Sequence, residues 1–276
     1  MSGEQTGSAV EGRFEFGENW RVFLDVVDER RIADSEAALT KLLRLDGLRG
    51  KRFLDIGSGS GLSSLAARRM GATVRSFDYD PASVWCTSEL RRRYFPEDPD
   101  WVVSRGDVLS AEFVGTLGQF DVVYSWGVLH HTGAMWRALD AAAGLVAPGG
   151  TLCVALYNDQ GIYSRAWSVV KRVYVGLPAM LRLPYVALVY APIELRHLAR
   201  CCLTLELGRY LRRLVEGRTA RGMSRWRDIV DWVGGWPFEV ASPETVFRFF
   251  RDRGMRLEEM TTCGGGMGCN EFVFRK

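Results

Sequence analysis

The sequence has few of the residues that hold structural metals. Its 276 residues include six cysteines and three histidines. No two cysteines form a C-x-x-C pair and no histidine stands at ligand spacing from them, so we predict no metal site. We expect free thiols in a reducing compartment, and therefore a cytoplasmic protein.

Long uninterrupted apolar runs are also missing. The first residues, MSGEQTGSAVEGR, contain no apolar segment typical of a secretory signal. The most apolar stretch, residues 173–195, is interrupted by Pro178, Arg182, Pro184 and Pro192. It therefore cannot form one spanning helix of about 20 apolar residues. It can still wall a pocket, form a dimer contact or rest on a membrane, and the oligomeric state stays open.

A glycine loop is the strongest positive signal. The segment FLDIGSGSG, residues 53–61, runs from an apolar strand through an acid into three alternating glycines. A dinucleotide fingerprint would place its third glycine at Leu62, so this spacing favours a different nucleotide-like ligand. A purely structural tight turn is the alternative. The predicted ligand contacts in this loop are Asp55, Gly57, Ser58, Gly59 and Gly61.

Two further acids follow predicted strands. Asp78 comes 21 residues after Gly57 and ends the second strand, where an acid can accept hydrogen bonds from both ribose hydroxyls. Asp80, directly before Pro81, is expected to cap the next helix. Asp107 follows the third strand and either accepts from an adenine amino group or holds a turn.

The order of these motifs identifies a family. The segments FDVVYSWGVLHH, residues 120–131, and APGGTL, residues 147–152, complete a series that resembles the class I S-adenosylmethionine (SAM)-dependent methyltransferases, especially those acting on small molecules. The resemblance covers about residues 50–157 and a tail from about residue 242. It implies SAM as the cofactor. We add to its predicted contacts Tyr79, Val108, Ser125 and Trp126.

The resemblance also implies the fold. We expect an α/β Rossmann-like, seven-stranded, mostly parallel sheet with helices on both faces, an antiparallel last strand and a helical insertion after the fifth strand. The predicted segments are a disordered N-terminus at 1–12, an N-terminal helical lid at 13–48, a SAM-binding core at 49–158, a basic helical insertion at 159–236 and the C-terminal part of the core at 237–276.

Two adjacent histidines are the candidates for catalysis. His130 and His131 leave the fourth strand close to the expected sulfonium, and imidazole has a suitable pKa for a general base acting on a hydroxyl. We favour His131, while the alternative is that both histidines fix the loop through backbone carbonyls. The predicted acceptor-binding residues are Tyr157, Asn158, Asp159 and Trp236.

The insertion is strongly basic. Residues 161–230 contain thirteen Lys and Arg against four acids, in a chain whose net charge is +3. This balance predicts attraction to an anionic or lipid-linked small molecule or a peripheral contact with an anionic membrane; the alternative is a solvated helical face.

We therefore expect O-methylation of an anionic or amphipathic metabolite. RNA methylation is an alternative that the sequence disfavours, because Ser125-Trp126-Gly127-Val128 replaces the Asn/Asp-Pro-Pro-aromatic motif of amino-directed nucleic-acid enzymes and no separate RNA-binding module is evident. A non-catalytic SAM-binding protein is the other alternative.

Overall fold

Seven strands form one sheet within the part of the chain that the computed structural model describes, which is residues 14, 20, 24, 27–45, 47–204, 206, 208, 210, 211 and 225–276. The N-terminus at 1–12, predicted to be disordered, lies outside the described residues. The strands are β1 (Arg52–Ile56), β2 (Thr73–Asp78), β3 (Trp101–Arg105), β4 (Phe120–Trp126), β5 (Val146–Tyr157), β6 (Arg256–Thr261) and β7 (Cys269–Arg275).

The strand order confirms the predicted fold. It is β3-β2-β1-β4-β5-β7-β6, with β1 paired in parallel to β2 on one side and to β4 on the other. The last strand, β7, is inserted antiparallel between β5 and β6. The carboxyl ends of the five parallel strands therefore meet at one edge of the sheet, and the strand order reverses between β1 and β4.

Helices cover both faces of this sheet. They are α1 (Glu29–Leu43), α2 (Leu62–Arg69), α3 (Pro81–Tyr94), α4 (Ala111–Gly115), α5 (Met135–Gly144), α6 (Ile162–Gly176), α7 (Ala179–Leu203), α8 (Arg225–Gly234) and α9 (Pro243–Arg251), with a short 3₁₀ turn at Leu129–His131.

The alternation of β1 side chains explains the two-sided core. Phe53 packs into one apolar cluster with α1, α2 and α3, whereas Leu54 and Ile56 pack into the other with α5 and α9. Because a parallel strand covered on both faces needs apolar side chains in both directions, four consecutive residues of β1 are buried. The exception to this apolar composition is Asp55, which belongs to the site described below.

The basic insertion forms a helical layer of its own. Helices α6, α7 and α8 share a small core built on Tyr174, Val186 and Val233, against which Phe14 also packs. This layer follows β5, as predicted. Among the described residues, no helix is both long enough and apolar enough to cross a membrane.

A buried lysine lies inside this layer. The Lys171 side chain of α6 is 0% exposed. Its Nζ donates to the carbonyl oxygen of Trp232 and lies 4.6 Å from the Trp232 ring centroid and 4.8 Å from that of Phe238. Burial lowers the pKa of Lys171 to about 7, against a weaker opposing effect of Asp231. The charge is thus held by a carbonyl and two aromatic faces.

The substitution Lys171→Met should change how stability depends on pH. The unfolded lysine keeps its proton up to its ordinary pKa of 10.5, while the folded one loses it near pH 7. The unfolded state therefore binds more protons between these values, so wild-type stability should rise with pH there, by at most about 1.4 kcal/mol per pH unit.

Urea unfolding at pH 7, 8 and 9 measures this slope. We expect the free energy of unfolding of the wild type, minus that of Lys171→Met, to increase with each step in pH. Parallel curves for the two proteins would show that Lys171 stays protonated in the fold.

Candidate functional site

One large cavity opens at the carboxyl edge of the sheet. Its volume is about 870 Å³, which is within the range of small-molecule and cofactor sites. The loops after β1, β2, β4 and β5 contribute to its wall, as do the N-terminal segment and the insertion helices. The residues that line it include Phe14, Trp20, Asp55, Gly57, Ser58, Gly59, Asp78, Tyr79, Asp80, Trp126, His131, Tyr157, Trp167, Tyr190, Ile193, Asp231 and Trp232.

The glycine loop needs its three glycines for different reasons. Gly57, Gly59 and Gly61 all have positive φ, at 76°, 53° and 82°. A Cβ on Gly57 would come within 2.3 Å of Val128, and one on Gly61 within 2.8 Å of the Thr87 backbone. Packing against the protein therefore fixes Gly57 and Gly61. Gly61 is also absent from the cavity wall, so of the three it is Gly57 and Gly59 that face the cavity.

Asp55 is the buried acid at the end of β1. Its Oδ2 accepts a 2.5 Å hydrogen bond from the Ser64 hydroxyl, which in turn lies 2.7 Å from the Ser76 hydroxyl. Burial raises the pKa of Asp55 to about 7, and the nearby charge of Asp78 adds to the effect. The carboxyl therefore changes its charge near neutral pH, at the wall of the cavity.

Asp78 connects the second strand to the glycine loop. Its Oδ2 accepts a 3.0 Å hydrogen bond from the backbone amide of Gly59, and its Oδ1 accepts a 2.9 Å bond from that of Asp80. The carboxylate lines the cavity in this position. Asp80 accepts from the amide of Ala82 and caps α3, as predicted.

The remaining predicted cofactor residues divide into two groups. Tyr79 and Trp126 line the cavity, whereas Asp107, Val108 and Ser125 do not. Asp107 accepts from the amide of Leu109, so it acts as the turn aspartate that was the open alternative. The Ser125 hydroxyl donates 2.9 Å to the carbonyl of Ile56 and joins β4 to β1. Contact of these three with the cofactor stays a prediction that the cavity lining does not support.

The two histidines have different surroundings. His131 lines the cavity, and its Nδ1 lies 2.6 Å from the carbonyl oxygen of Pro237. Because a carbonyl can only accept, we assign the proton to Nδ1, which makes Nε2 the basic nitrogen. His130 is fully buried behind the wall, where its Nδ1 accepts from the Tyr157 amide and its ring lies tilted by 36° against that of Tyr157 with centroids 3.9 Å apart. The role of His130 as a base stays a prediction that its burial does not support.

Aromatic side chains form the wall opposite the glycine loop. Tyr157 contacts Trp232 edge-on with ring centroids 5.5 Å apart, and Trp232 contacts Trp167 in the same manner at 5.4 Å. Tyr190 and Ile193 of α7 extend this wall. The result is a broad apolar surface facing the cavity beside His131.

Tyr157 is the one predicted acceptor residue of four that reaches this cavity. Asn158 instead accepts from the Asn270 side chain, and Asp159 accepts from the amide of Gly161 in a turn. The Trp236 ring lies under the Arg172 guanidinium, 4.7 Å away. Contact of these three with an acceptor stays a prediction that the cavity lining does not support, because hydrogen bonds or stacking hold each of them outside the main cavity.

Several cavity residues were not assigned to the site from the sequence. Trp167, Tyr190 and Ile193 come from the insertion, and Asp231 and Trp232 from the end of α8. The signal for Tyr190 was the apolar run 173–195, and that for Trp232 was the pair of tryptophans in DWVGGW.

The charged lining residues are all acids. Asp55, Asp78, Asp80 and Asp231 line the cavity, and no lysine or arginine is among the described residues that do so. The basic balance of the insertion is thus directed away from the cavity as far as the chain is described.

Comparison with known proteins supports the family inferred from the motifs. Residues 54–154 match a family model described as a methyltransferase domain. The chain is 30% identical over 142 residues to a ubiquinone biosynthesis O-methyltransferase of Escherichia coli, covering 51% of this chain and 54% of the relative. It is 36% identical over 119 residues to a tRNA U34 carboxymethyltransferase of Alcanivorax borkumensis, covering 42% and 35%. The chain thus spans about half or less of the length of these curated relatives.

Solved structures show the same fold at low identity. An O-methyltransferase family protein from Burkholderia thailandensis superposes with a TM-score of 0.55 at 13% identity, over 93% of this chain and 59% of the other. A magnesium protoporphyrin IX methyltransferase from Synechocystis, solved with bound SAH, gives 0.50 at 14% identity, over 94% and 86%. These matches show a methyltransferase fold, with residues 54–154 as the part that matches the family model, and with the ordered motifs they support the class I SAM-dependent methyltransferases as the family that this chain resembles.

The residues present fit the cofactor of this family. The absence of a side chain at Gly59 leaves space in the cavity wall beside Trp20, because a Cβ there would come within 3.2 Å of the indole ring. Carboxylates stand on either side of the glycine loop, where Asp55 would face the ammonium group of the cofactor and Asp78 its pair of ribose hydroxyls. The Trp20 ring lies near the loop at Gly59, and a lid role for the N-terminal segment stays a prediction.

The raised pKa of Asp55 predicts that SAM binding depends on pH. The ammonium of the ligand favours an ionised carboxylate, so affinity should fall as Asp55 is protonated below pH 7. Between pH 7.5 and 6 the ionised fraction falls about eightfold for a pKa of 7, and we expect a loss of affinity of about five- to tenfold.

Calorimetric titration of SAM at these two pH values measures the effect. Asp55→Asn is the control, since it keeps the shape of the side chain and removes its titration; it should bind weakly at both pH values. An unchanged wild-type affinity would contradict the placement of Asp55 against the ammonium group.

Proposed function

We propose that this protein binds SAM and transfers its methyl group to a hydroxyl of a small amphipathic molecule. The observation that carries the proposal is that one cavity is bounded by the glycine loop with its two acids, by the His131 imidazole and by an aromatic wall. The relatives named as O-methyltransferases agree with oxygen as the acceptor atom.

The protein's part in such a transfer is mainly positioning. Bound SAM supplies a methyl group that is already electrophilic because it is carried by a sulfonium. Asp78 and the Gly59 backbone hold one end of the binding loop in place, and Trp20 and Phe14 help to exclude water from the cavity. The aromatic wall then orients the acceptor toward the loop.

His131 is the candidate general base. The hydrogen bond from Nδ1 to the Pro237 carbonyl fixes the ring and leaves Nε2 to accept a proton. The Pro237 carbonyl thus orients a base as a third group does in other nucleophile-activating sites. A hydroxyl placed between Tyr157 and the glycine loop would lie beside this imidazole.

The wall chemistry favours an amphipathic acceptor over an anionic one. Tyr157, Trp167 and Trp232 offer ring faces and edges to an apolar body. Among the described lining residues no cation is present to neutralise a phosphate or carboxylate, while Asp231 can accept a hydrogen bond from a hydroxyl or amine. The same lining weighs against RNA, whose backbone would need cations at the site.

Methyl transfer from labelled SAM into a fractionated extract of the source cells tests this function. Label is expected in small molecules or lipids and is expected to be absent from RNA and protein. Label in RNA or protein would overturn the acceptor class, and SAM binding with no transfer into any fraction would favour a non-catalytic SAM-binding protein.

The control variant with weakened SAM binding for this assay is Asp78→Ala. Loss of the charge-assisted bond to the ribose should weaken SAM binding by about 1.5–3 kcal/mol. Asp140→Ala removes a surface acid that pairs with Arg253, so it should leave affinity unchanged. Calorimetry that finds equal affinity for both variants would contradict the ribose assignment.

A matched pair of histidine variants tests the base. His131→Asn keeps a donor near the position of Nδ1 and removes Nε2, so kcat on the labelled fraction should fall by about 10²- to 10⁴-fold with SAM affinity unchanged. His130→Asn keeps an acceptor for the Tyr157 amide and should retain kcat. Equal kcat losses in the two variants, or none in His131→Asn, would remove His131 from the role.

A further inference from the structure

The outer face of α7 is apolar and exposed. Met180, Leu188 and Leu195 are 82%, 72% and 64% exposed, and Leu183 is also exposed. Their spacing places them along one side of the helix for about four turns. The other exposed positions between Met180 and Leu195 are Leu181, Pro184, Ala187, Ala191 and Pro192, none of which is charged.

The inner face of the same helix is also apolar. Val186 is fully buried in the core of the insertion, and Tyr190 and Ile193 line the cavity. Arg182, the one charged residue between Ala179 and Ile193, turns inward and donates to the carbonyls of Leu177 and Val175. A helix that is apolar on both sides is normally covered on both sides, so an exposed outer face of this length indicates an interaction surface.

Exposed cations lie on α7 and on the preceding helix α6. Helices α6 and α7 together carry six Lys and Arg and one acid, Glu194. Four of the six cations, Arg165, Arg172, Arg196 and Arg200, are exposed. An apolar helix face with arginines beside it is complementary to a lipid surface that carries negative headgroups.

The same charges weigh against self-association. In a symmetric dimer that packs the two α7 helices in parallel through this face, the exposed arginines of α7 would approach those of the second copy. Such like-charge contacts are costly, and these helices offer Glu194 alone as an opposing charge. An anionic lipid surface meets both the apolar and the charge requirement.

We propose that the outer face of α7 docks on the surface of an anionic lipid bilayer, with the helix lying in the plane of the interface. Leu188 and Leu195 enter the headgroup boundary, and the arginines at the end of α7 contact the headgroups. The docking does not depend on methyl transfer. If the proposed function also holds, docking brings the cavity wall at Tyr190 and Ile193 to the membrane that would hold an amphipathic acceptor.

Co-sedimentation of the full chain with vesicles tests the docking. The vesicles contain phosphatidylcholine alone or with about 30 mol % phosphatidylglycerol. We expect binding to the anionic vesicles and at least tenfold weaker binding to the neutral ones. No binding to either kind, or equal binding to both, would overturn the proposal.

Paired variants show whether α7 carries the binding. Leu188→Asp/Leu195→Asp should reduce partition to anionic vesicles at least tenfold, and Arg196→Glu/Arg200→Glu should remove the preference for them. Met260→Asp is the control, an exposed apolar position on β6, and should bind as the wild type does. SAM affinity and thermal unfolding should be unchanged in all of them, which shows that the variants fold.

Light scattering after size-exclusion chromatography tests whether a second copy of the chain, and not lipid, covers this face. A monomer that binds anionic vesicles supports docking to lipid. A dimer that Leu188→Asp/Leu195→Asp converts to monomers would overturn it and assign the face to a second copy of the chain. Unchanged vesicle binding by the same variant would place the membrane contact elsewhere.

Discussion

The parallel pairing of β1 with β2 on one side and β4 on the other is the constraint on which the site depends. Because the strands are parallel, their carboxyl ends deliver Asp55, Asp78 and Trp126 to the same edge of the sheet. The connection after β1 leads to β2 on one side of the β1–β4 pair, and the connection after β4 leads to β5 on the other side. The crevice between these two connections becomes the cavity. Val128, just after β4, then approaches Gly57 so closely that no side chain fits there. The glycine spacing is therefore a consequence of strand packing as well as of ligand binding.

The cofactor half of the site could be predicted because its residues lie next to strand ends in the sequence. Asp55, Gly57, Gly59 and Asp78 are read from local motifs, and the pairing of the strands brings them together. The same reasoning could not decide the role of Asp107 or Ser125, because a polar residue at a strand end can equally satisfy a backbone group, as both do here. Sequence also could not separate His130 from His131, since their difference is the direction in which each ring leaves a 3₁₀ turn.

The acceptor half could not be predicted residue by residue because distant segments build it. Trp167, Tyr190 and Trp232 come from three helices whose relative placement depends on packing around Tyr174, Val186 and the buried Lys171. Composition correctly described the insertion as basic and apolar. It could not show which of its side chains face the cavity and which face solvent. Its apolar side chains turn both to the cavity and to solvent, while the arginines of α6 and α7 are exposed or, as Arg182 is, bound to carbonyls. The net charge of a segment therefore says little about the charge of the pocket that it walls.

Helix α7 joins the two proposals while keeping them experimentally separable. Leu188 and Tyr190 are two residues apart and so point in directions that differ by about 200° around the helix axis. A substitution on the outer face changes the surface without entering the cavity, and one on the inner face does the reverse. The helix has no charged residue other than Arg182 between Ala179 and Ile193, and that charge is bound to carbonyls within the insertion. A single exposed leucine is common on protein surfaces, so it is the uncharged row from Met180 to Leu195, and not Leu188 alone, that indicates a contact on the outer face.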